Sequence, residues 1–173
     1  MLDNNSIGPE AAVVIVAALR TNTVLEDFSI AENSIGNEGA AAFAHLFDEE
    51  GGGVHSNDME SPTSRATSTS FNSSSLKRLD LRSNSIGAAG AKSLSRMFHK
   101  EGPLRVLILR SNTIGAAGAT ALAKQIGRAN CKLEVLSLAR CGIGSLGGKT
   151  VGCNLVRTVY STLALLALRT NKQ

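Results

Sequence analysis

The sequence predicts an α/β fold built from stacked strand–turn–helix units, and three observations carry that expectation. One fifteen-position frame recurs along the chain, most copies follow one another at a near-constant interval, and apolar residues within each copy pass from alternation to helical spacing. Leu25 to Gly39 reads LEDFSIAENSIGNEG, Leu76 to Gly90 LKRLDLRSNSIGAAG, Leu104 to Gly118 LRVLILRSNTIGAAG, and Leu133 to Gly147 LEVLSLARCGIGSLG. All follow L-x-x-L-x-L-x-x-N/C-x-I-G-x-x-G, positions one to fifteen of the frame. No single copy could cover its own apolar face, so side-by-side stacking must supply a shared core.

The elements follow in order. A truncated copy opens the chain (Leu2, Asn5, Ile7, Gly8), and its helix offers Ala12, Ile15, Val16 and Leu19 to the core. In each full copy, L-x-x-L-x-L argues a short strand with its leucines inward, and the Ile-Gly turn leads into a helix. The inward helix residues are Ala40, Phe43, Ala44 and Phe47 in the second copy, then Ala91, Leu94, Ser95 and Phe98 in the third. The fourth copy gives Ala119, Leu122, Ala123 and Ile126. In the fifth, Gly147, Gly148 and Gly152 fall where a helix belongs, so a late-starting or frayed helix is expected. A last partial copy, LALLALRTN, supplies Leu163, Leu166, Leu168 and Asn171.

The ninth position is occupied by Asn5, Asn33, Asn84, Asn112, Cys141 and Asn171, at intervals of 28, 51, 28, 29 and 30. An amide there carries both donor and acceptor, and can satisfy backbone groups of the turn in its own and adjoining copies. Asn33, Asn84, Asn112, Cys141 and Asn171 are therefore expected to form a structural ladder. The long interval is the regular one enlarged by an insertion lying within 48–75. That stretch is dominated by Ser, Thr, Gly and acids, and is expected to be a disordered surface loop in an otherwise single domain spanning 1–173.

Composition agrees with a thin, regular core. Hydrophobic residues make up 43% of the chain but aromatics only 3%, with no Trp, so Leu, Ile, Val and Ala must fill it. Three cysteines (Cys131, Cys141, Cys153) match neither a metal pair nor a disulfide framework, which argues reduced thiols and a cytoplasmic setting. Ala11 to Leu19 is too short to span a bilayer and has no basic flank before it. Charge is polarised: residues 1–75 hold two basic and eleven acidic side chains, a net −9, and residues 76–173 hold sixteen and three, a net +13. Such asymmetry invites a charged partner.

The frame, its period and the helix starts GAKSLS and GATALA resemble leucine-rich repeats of the ribonuclease-inhibitor type. The resemblance extends to the repeats of NOD-like receptors and of the Ran GTPase-activating protein. It implies a curved solenoid, or horseshoe, with a concave parallel β-sheet and convex helices, here about five repeats plus partial ends. It also implies that Cys is acceptable at the ladder position of Cys141. Function varies widely on this scaffold, so the resemblance by itself assigns none.

One stretch imitates chemistry. CGIGSLGGKT, Cys141 to Thr150, contains G-x-G-x-x-G and ends like a P-loop. Yet Gly144 and Gly147 fill the slots of Gly36 and Gly39, Gly87 and Gly90, and Gly115 and Gly118, leaving only Gly142 extra. No acidic residue follows Glu134 to bind a ribose, and Ile143 stands where Walker A needs glycine. His45, His55 and His99 form no metal or nucleophile–base spacing. The expectation is a non-enzymatic chain without cofactor or metal.

What remains is a surface. The third, fifth and seventh positions point to the concave side, placing Val106, Ile108, Val135 and Leu165 in an apolar strip beside Arg78, Asp80, Arg82, Arg110 and Arg169, with Arg140 following at the eighth position. An apolar centre with a charged border suits a protein partner of acidic or mixed surface. Two other readings stay open: a GTPase-activating regulator of the Ran type, and nucleic-acid binding by the basic half through phosphate contacts.

Overall fold

Each copy of the frame becomes one short strand, a tight turn and a helix in the computed structural model, which describes residues 1–47, 75–99, 102–126, 132–145, 147–149 and 165–166. The strands are β1 (Asp27–Ser29), β2 (Arg78–Asp80), β3 (Val106–Ile108), β4 (Val135–Ser137) and β5 (Leu165–Leu166), in one parallel sheet of order β1-β2-β3-β4-β5. Because every copy returns to the sheet through a helix, neighbouring strands must run the same way. Register is constant: Asp27, Arg78, Val106, Val135 and Leu165 pair in one row, and Phe28, Leu79, Leu107, Leu136 and Leu166 in the next. The expected residue rows are those observed. β1 and β2 pair directly although the whole insertion falls between them in sequence, so it leaves the stack unbroken.

The helices α1 (Pro9–Arg20), α2 (Gly36–Ala44), α3 (Ala88–Leu94) and α4 (Gly115–Ile126) lie side by side behind the sheet. Parallel strands sit about 4.8 Å apart whereas packed helices need about 8–10 Å, so the stack curves with the sheet inside. The start of α1 is written locally: Pro9 occupies the first helical turn, where a missing N–H costs nothing, Glu10 follows, and Arg20 closes the last turn. α3 is shorter and tightens into a 3-10 turn at Ser95–His99, where the Ser95 hydroxyl donates to the Lys92 carbonyl at 2.7 Å.

The core lies between the two layers. Leu79, Leu107 and Leu136 from the strands, and Leu81, Leu109 and Leu138 just after them, meet Phe43, Leu94, Leu122 and Ile126 from the helices, all buried. Of the sixteen helix residues expected to face inward, only Ile15 and Phe47 are merely half-buried.

Two expectations change. Of the late-starting or frayed helix expected in the fifth copy, the late start does not hold: residues 144, 145 and 147–149 are helical, beginning in the slot where α2 and α4 begin, while 150–164, Gly152 included, lie outside the described residues. Its first glycine, Gly144, has φ +59°, as Gly36 and Gly115 have +61° and +63°, so glycine here opens the helix. Asp80, expected on the open strip, is instead buried at 5% exposure. The expected loop over 48–74, and Arg169 and Asn171, lie outside the described residues; Ser75, last residue of that segment, donates its hydroxyl to the Thr23 carbonyl at 2.6 Å.

Candidate functional site: the sheet face and its ladder

The turn after each strand sets the site's floor. The eighth residue of the frame adopts a left-handed backbone in every described copy: Asn4, Glu32, Ser83, Ser111 and Arg140 have φ between 51° and 58°. Its N–H then reaches the next copy, Asn4 donating to Ala31, Glu32 to Arg82, Ser83 to Arg110 and Ser111 to Ala139 at 2.9–3.0 Å. Gly142 finds its explanation in the same turn. It has φ +64° at the tenth position, where Ser6 and Ser85 are also left-handed, and open space surrounds it. Gly147 answers to packing, since a Cβ there would stand 2.9 Å from the Ala116 Cα. Turn geometry at Gly142 and Gly144 and helix packing at Gly147 account for the glycines of the phosphate-cradle look-alike.

The ladder is in place. Asn33 Oδ1 accepts the N–H groups of Asn5 and Ile7, and Asn112 Oδ1 those of Asn84 and Ile86, at 2.9–3.0 Å. Asn112 Nδ2 donates backward to Leu81 O at 3.0 Å and within its own turn to Leu109 O at 2.8 Å. Asn84 Nδ2 does the same toward Ile30 O and Arg82 O. Each amide thus stitches its own copy to the one before it. Cys141 keeps part of the job, its thiol pointing at Leu109 O at 3.1 Å, and burial raises its pKa above 9.0 despite the nearby N–H groups of Asn112 and Ser111. A neutral buried thiol is a poor nucleophile.

On the sheet face the expected residues divide into two groups. Val106, Ile108 and Val135 are half-buried side by side, with Arg110 and Arg140 exposed next to them. Neither arginine has an ion-pair partner among the described residues. They are the chain neighbours of the two ends of the Ser111 N–H to Ala139 O bond, and so sit on adjacent copies. Arg78 is exposed in the row of Val106 but two strands from Val135.

The other group is tied up internally. Arg82 lies 3.8 Å from an Asp3 oxygen and 3.9 Å from an Asp80 oxygen, and Asp80 Oδ1 accepts the Arg82 N–H at 3.1 Å. Asp3 reaches Arg82 across the copy between them because the intervening seventh-position residue is only Ala31. The Asp3 carboxylate also accepts the Ser29 hydroxyl and the Ala31 N–H, and chiefly the Ser29 bond, against some desolvation, holds its pKa below 3.8. This cluster went unread in the sequence, although Asp3 in the seventh slot followed by Ala31 and Arg82 is its signal. A second unread feature is Asn37, whose Oδ1 caps α3 from the preceding copy by accepting the N–H groups of Gly87 and Gly90.

Among the described residues no group of His, Cys, Asp and Glu could hold a metal ion, and no helix is long and apolar enough to cross a membrane. The described sheet face presents an apolar strip, two guanidiniums without ion-pair partners among the described residues, and a hydrogen-bonded backbone beneath.

Comparison with known proteins fits this geometry. The chain's structure resembles that titled "Leiomodin-1 Actin-Binding Site 2 (ABS2)" with a TM-score of 0.62 and 21% identity, over 92% of this chain and 79% of that one. At that identity the likeness is one of fold. No curated protein sequence matches the chain. The family model described as Leucine Rich repeat matches residues 21–44, 72–95, 103–123 and 129–152, more than half of the chain, each segment covering one strand and its turn. The chain therefore belongs to the leucine-rich-repeat family.

Proposed function

We propose that the protein is a non-enzymatic binding scaffold that recognises a protein partner through the concave sheet face, with the repeats acting as one domain of the ribonuclease-inhibitor type. The observation that carries this reading is the half-exposed strip of Val106, Ile108 and Val135 bordered by Arg110 and Arg140, two cations without internal partners among the described residues. Such a surface favours a partner presenting apolar side chains among carboxylates. Arg82 contributes little to it, because Asp3 and Asp80 already neutralise it. The free, buried thiol of Cys141 supports a reducing intracellular location.

The name of the structural neighbour supplies a first probe. Filamentous actin is tested by co-sedimentation with the wild-type chain and with the double variant Ile108→Glu/Arg110→Glu, whose side chains are at the surface. Binding by the wild type and loss of at least tenfold in the variant, with an unchanged unfolding midpoint, is the expected result. Equal binding by both proteins would remove the sheet face from the account. A partner other than actin is sought with the same pair of proteins.

A further inference from the structure

Charge is unevenly spread over the sheet face. At positions three, five, seven and eight, the second and third copies carry Asp27, Glu32 and Asp80 against Arg78 and Arg82, three acidic and two basic, net −1. The fourth and fifth copies carry only Arg110 and Arg140 there, net +2. Asp27, Glu32, Arg110 and Arg140 are all exposed, and none has an ion-pair partner among the described residues. Arg78, also exposed, is in register with Asp27. The charges at the strand starts are matched instead, Lys77 with Glu26 at 2.6 Å and Arg105 with Glu134 at 3.8 Å.

Spacing decides which kind of chain fits across these strands. Neighbouring strands lie about 4.8 Å apart. An extended peptide laid across them turns a side chain to the sheet every second residue, about 6.7 Å, and slips by about 1.9 Å at each strand. From β1 to β4 that adds up to more than one strand spacing. A helix offers one side chain per turn, about 5.4 Å, and slips by only about 0.6 Å at each strand.

The positions along the strands agree. Val106 and Val135 hold the third position, Ile108 the fifth, and Arg110 and Arg140 the seventh and eighth. The arginines therefore stand three to four residues, about 10–13 Å, from the middle of the strip, and a helix with its side chains is about 10–12 Å across. Arg110 and Arg140 are one strand and one residue apart, about 6 Å between backbones, close to the separation of i and i+4 neighbours on a helix surface.

We propose that the sheet face takes an amphipathic α-helix of a partner protein, about three turns long, lying across the strands. Its apolar stripe rests on Val106, Ile108 and Val135, and two carboxylates three or four residues apart on one flank meet Arg110 and Arg140. Its N-terminus lies over Asp27 and Glu32 and its C-terminus over the fifth copy, because the positive end of a helix dipole favours acids and the negative end bases. The inference rests on the sheet-face reading above and adds the partner's shape and charge pattern.

Selection of random-sequence peptides of about sixteen residues, displayed on phage, against the full chain tests it. Enriched peptides are expected to carry apolar residues at i, i+3 or i+4, and i+7, with Asp or Glu at two positions three or four apart beside them. Arg110→Glu/Arg140→Glu, altered only at exposed positions, is expected to keep its unfolding midpoint and to bind these peptides at least about tenfold more weakly. Peptides whose acidic pair is changed to Lys should regain affinity for that variant, and failure of this rescue would overturn the charge contact. A photo-crosslinker at the peptide N-terminus is expected to label the second copy; labelling of the fifth would overturn the polarity. Enriched peptides with alternating apolar residues that lose binding to Ile108→Glu/Arg110→Glu would overturn the helix and leave the sheet face as the docking site. Peptides that bind both variants as tightly as the wild type would overturn the sheet-face reading as well. A library that yields no binder would overturn the helix alone, leaving a folded surface as the partner of the face.

Discussion

Asn112 shows how much of this protein rests on single side chains. Its amide answers two N–H groups and two carbonyls across two copies, all in buried surroundings. Leaving such groups unpaired costs about 1–3 kcal/mol each, so Asn112→Leu is expected to destabilise by about 3 kcal/mol or more, read as a lower urea midpoint. Cys141 is the converse case. A thiol donates weakly and accepts weakly, so Cys141→Asn is expected to stabilise by about 1 kcal/mol, provided the wider amide fits. With Cys131 and Cys153 replaced by Ser, the Cys141 thiol should resist a maleimide until the chain unfolds. Asp3 adds a pH dependence. Its folded pKa lies below the unfolded 3.8, so its stabilisation is complete above that value and disappears as pH falls through the folded pKa. Asp3→Asn should lower the midpoint at neutral pH and flatten the acid limb of the midpoint-against-pH curve. An unchanged acid limb would mean that the Ser29 contact contributes nothing.

Between elements, glycine decides how closely helices pack. A Cβ on Gly118 would stand 2.6 Å from Ile114 Cγ2 and 3.1 Å from the Ala88 Cα, and only the α3–α4 separation can relieve the second contact. Gly118→Ala should therefore destabilise by about 1–3 kcal/mol, although alanine is the better helix former by about 1 kcal/mol. Gly148, also helical, has nothing within 4 Å of a notional Cβ, and Gly148→Ala should stabilise by up to about 1 kcal/mol. Opposite signs for the same substitution, measured by chemical denaturation, would confirm that packing and not propensity sets the slot. Strand rows and inward helix faces were legible in the sequence because both follow a fixed period in a frame that repeats. The burial of Asp80 was not, because alternation tells which side a residue takes and not whether its neighbours close over it. The cluster of Asp3, Arg82 and Asp80 was hidden for the same reason: its partners belong to different copies, and only the stack brings them together.

For the whole molecule, the repeat dictates continuity, and function is left to what varies within it. The frame positions held by Asn, Gly and Leu are committed to the ladder, the turns and the core. Positions three, five, seven and eight are free to differ, and there the acidic first copies give way to Arg110, Arg140 and the apolar strip. The two copies flanking the insertion are joined in register, Asp27 to Arg78, as closely as copies that are contiguous in sequence. Deleting Gly51 to Ser73 removes the inserted length and restores the regular ladder interval between Asn33 and Asn84. Thermal unfolding of that deletion tests the continuous stack most directly. A single cooperative transition with a midpoint within a few degrees of the intact chain is predicted; two separate transitions, or a large fall in the midpoint, would contradict it.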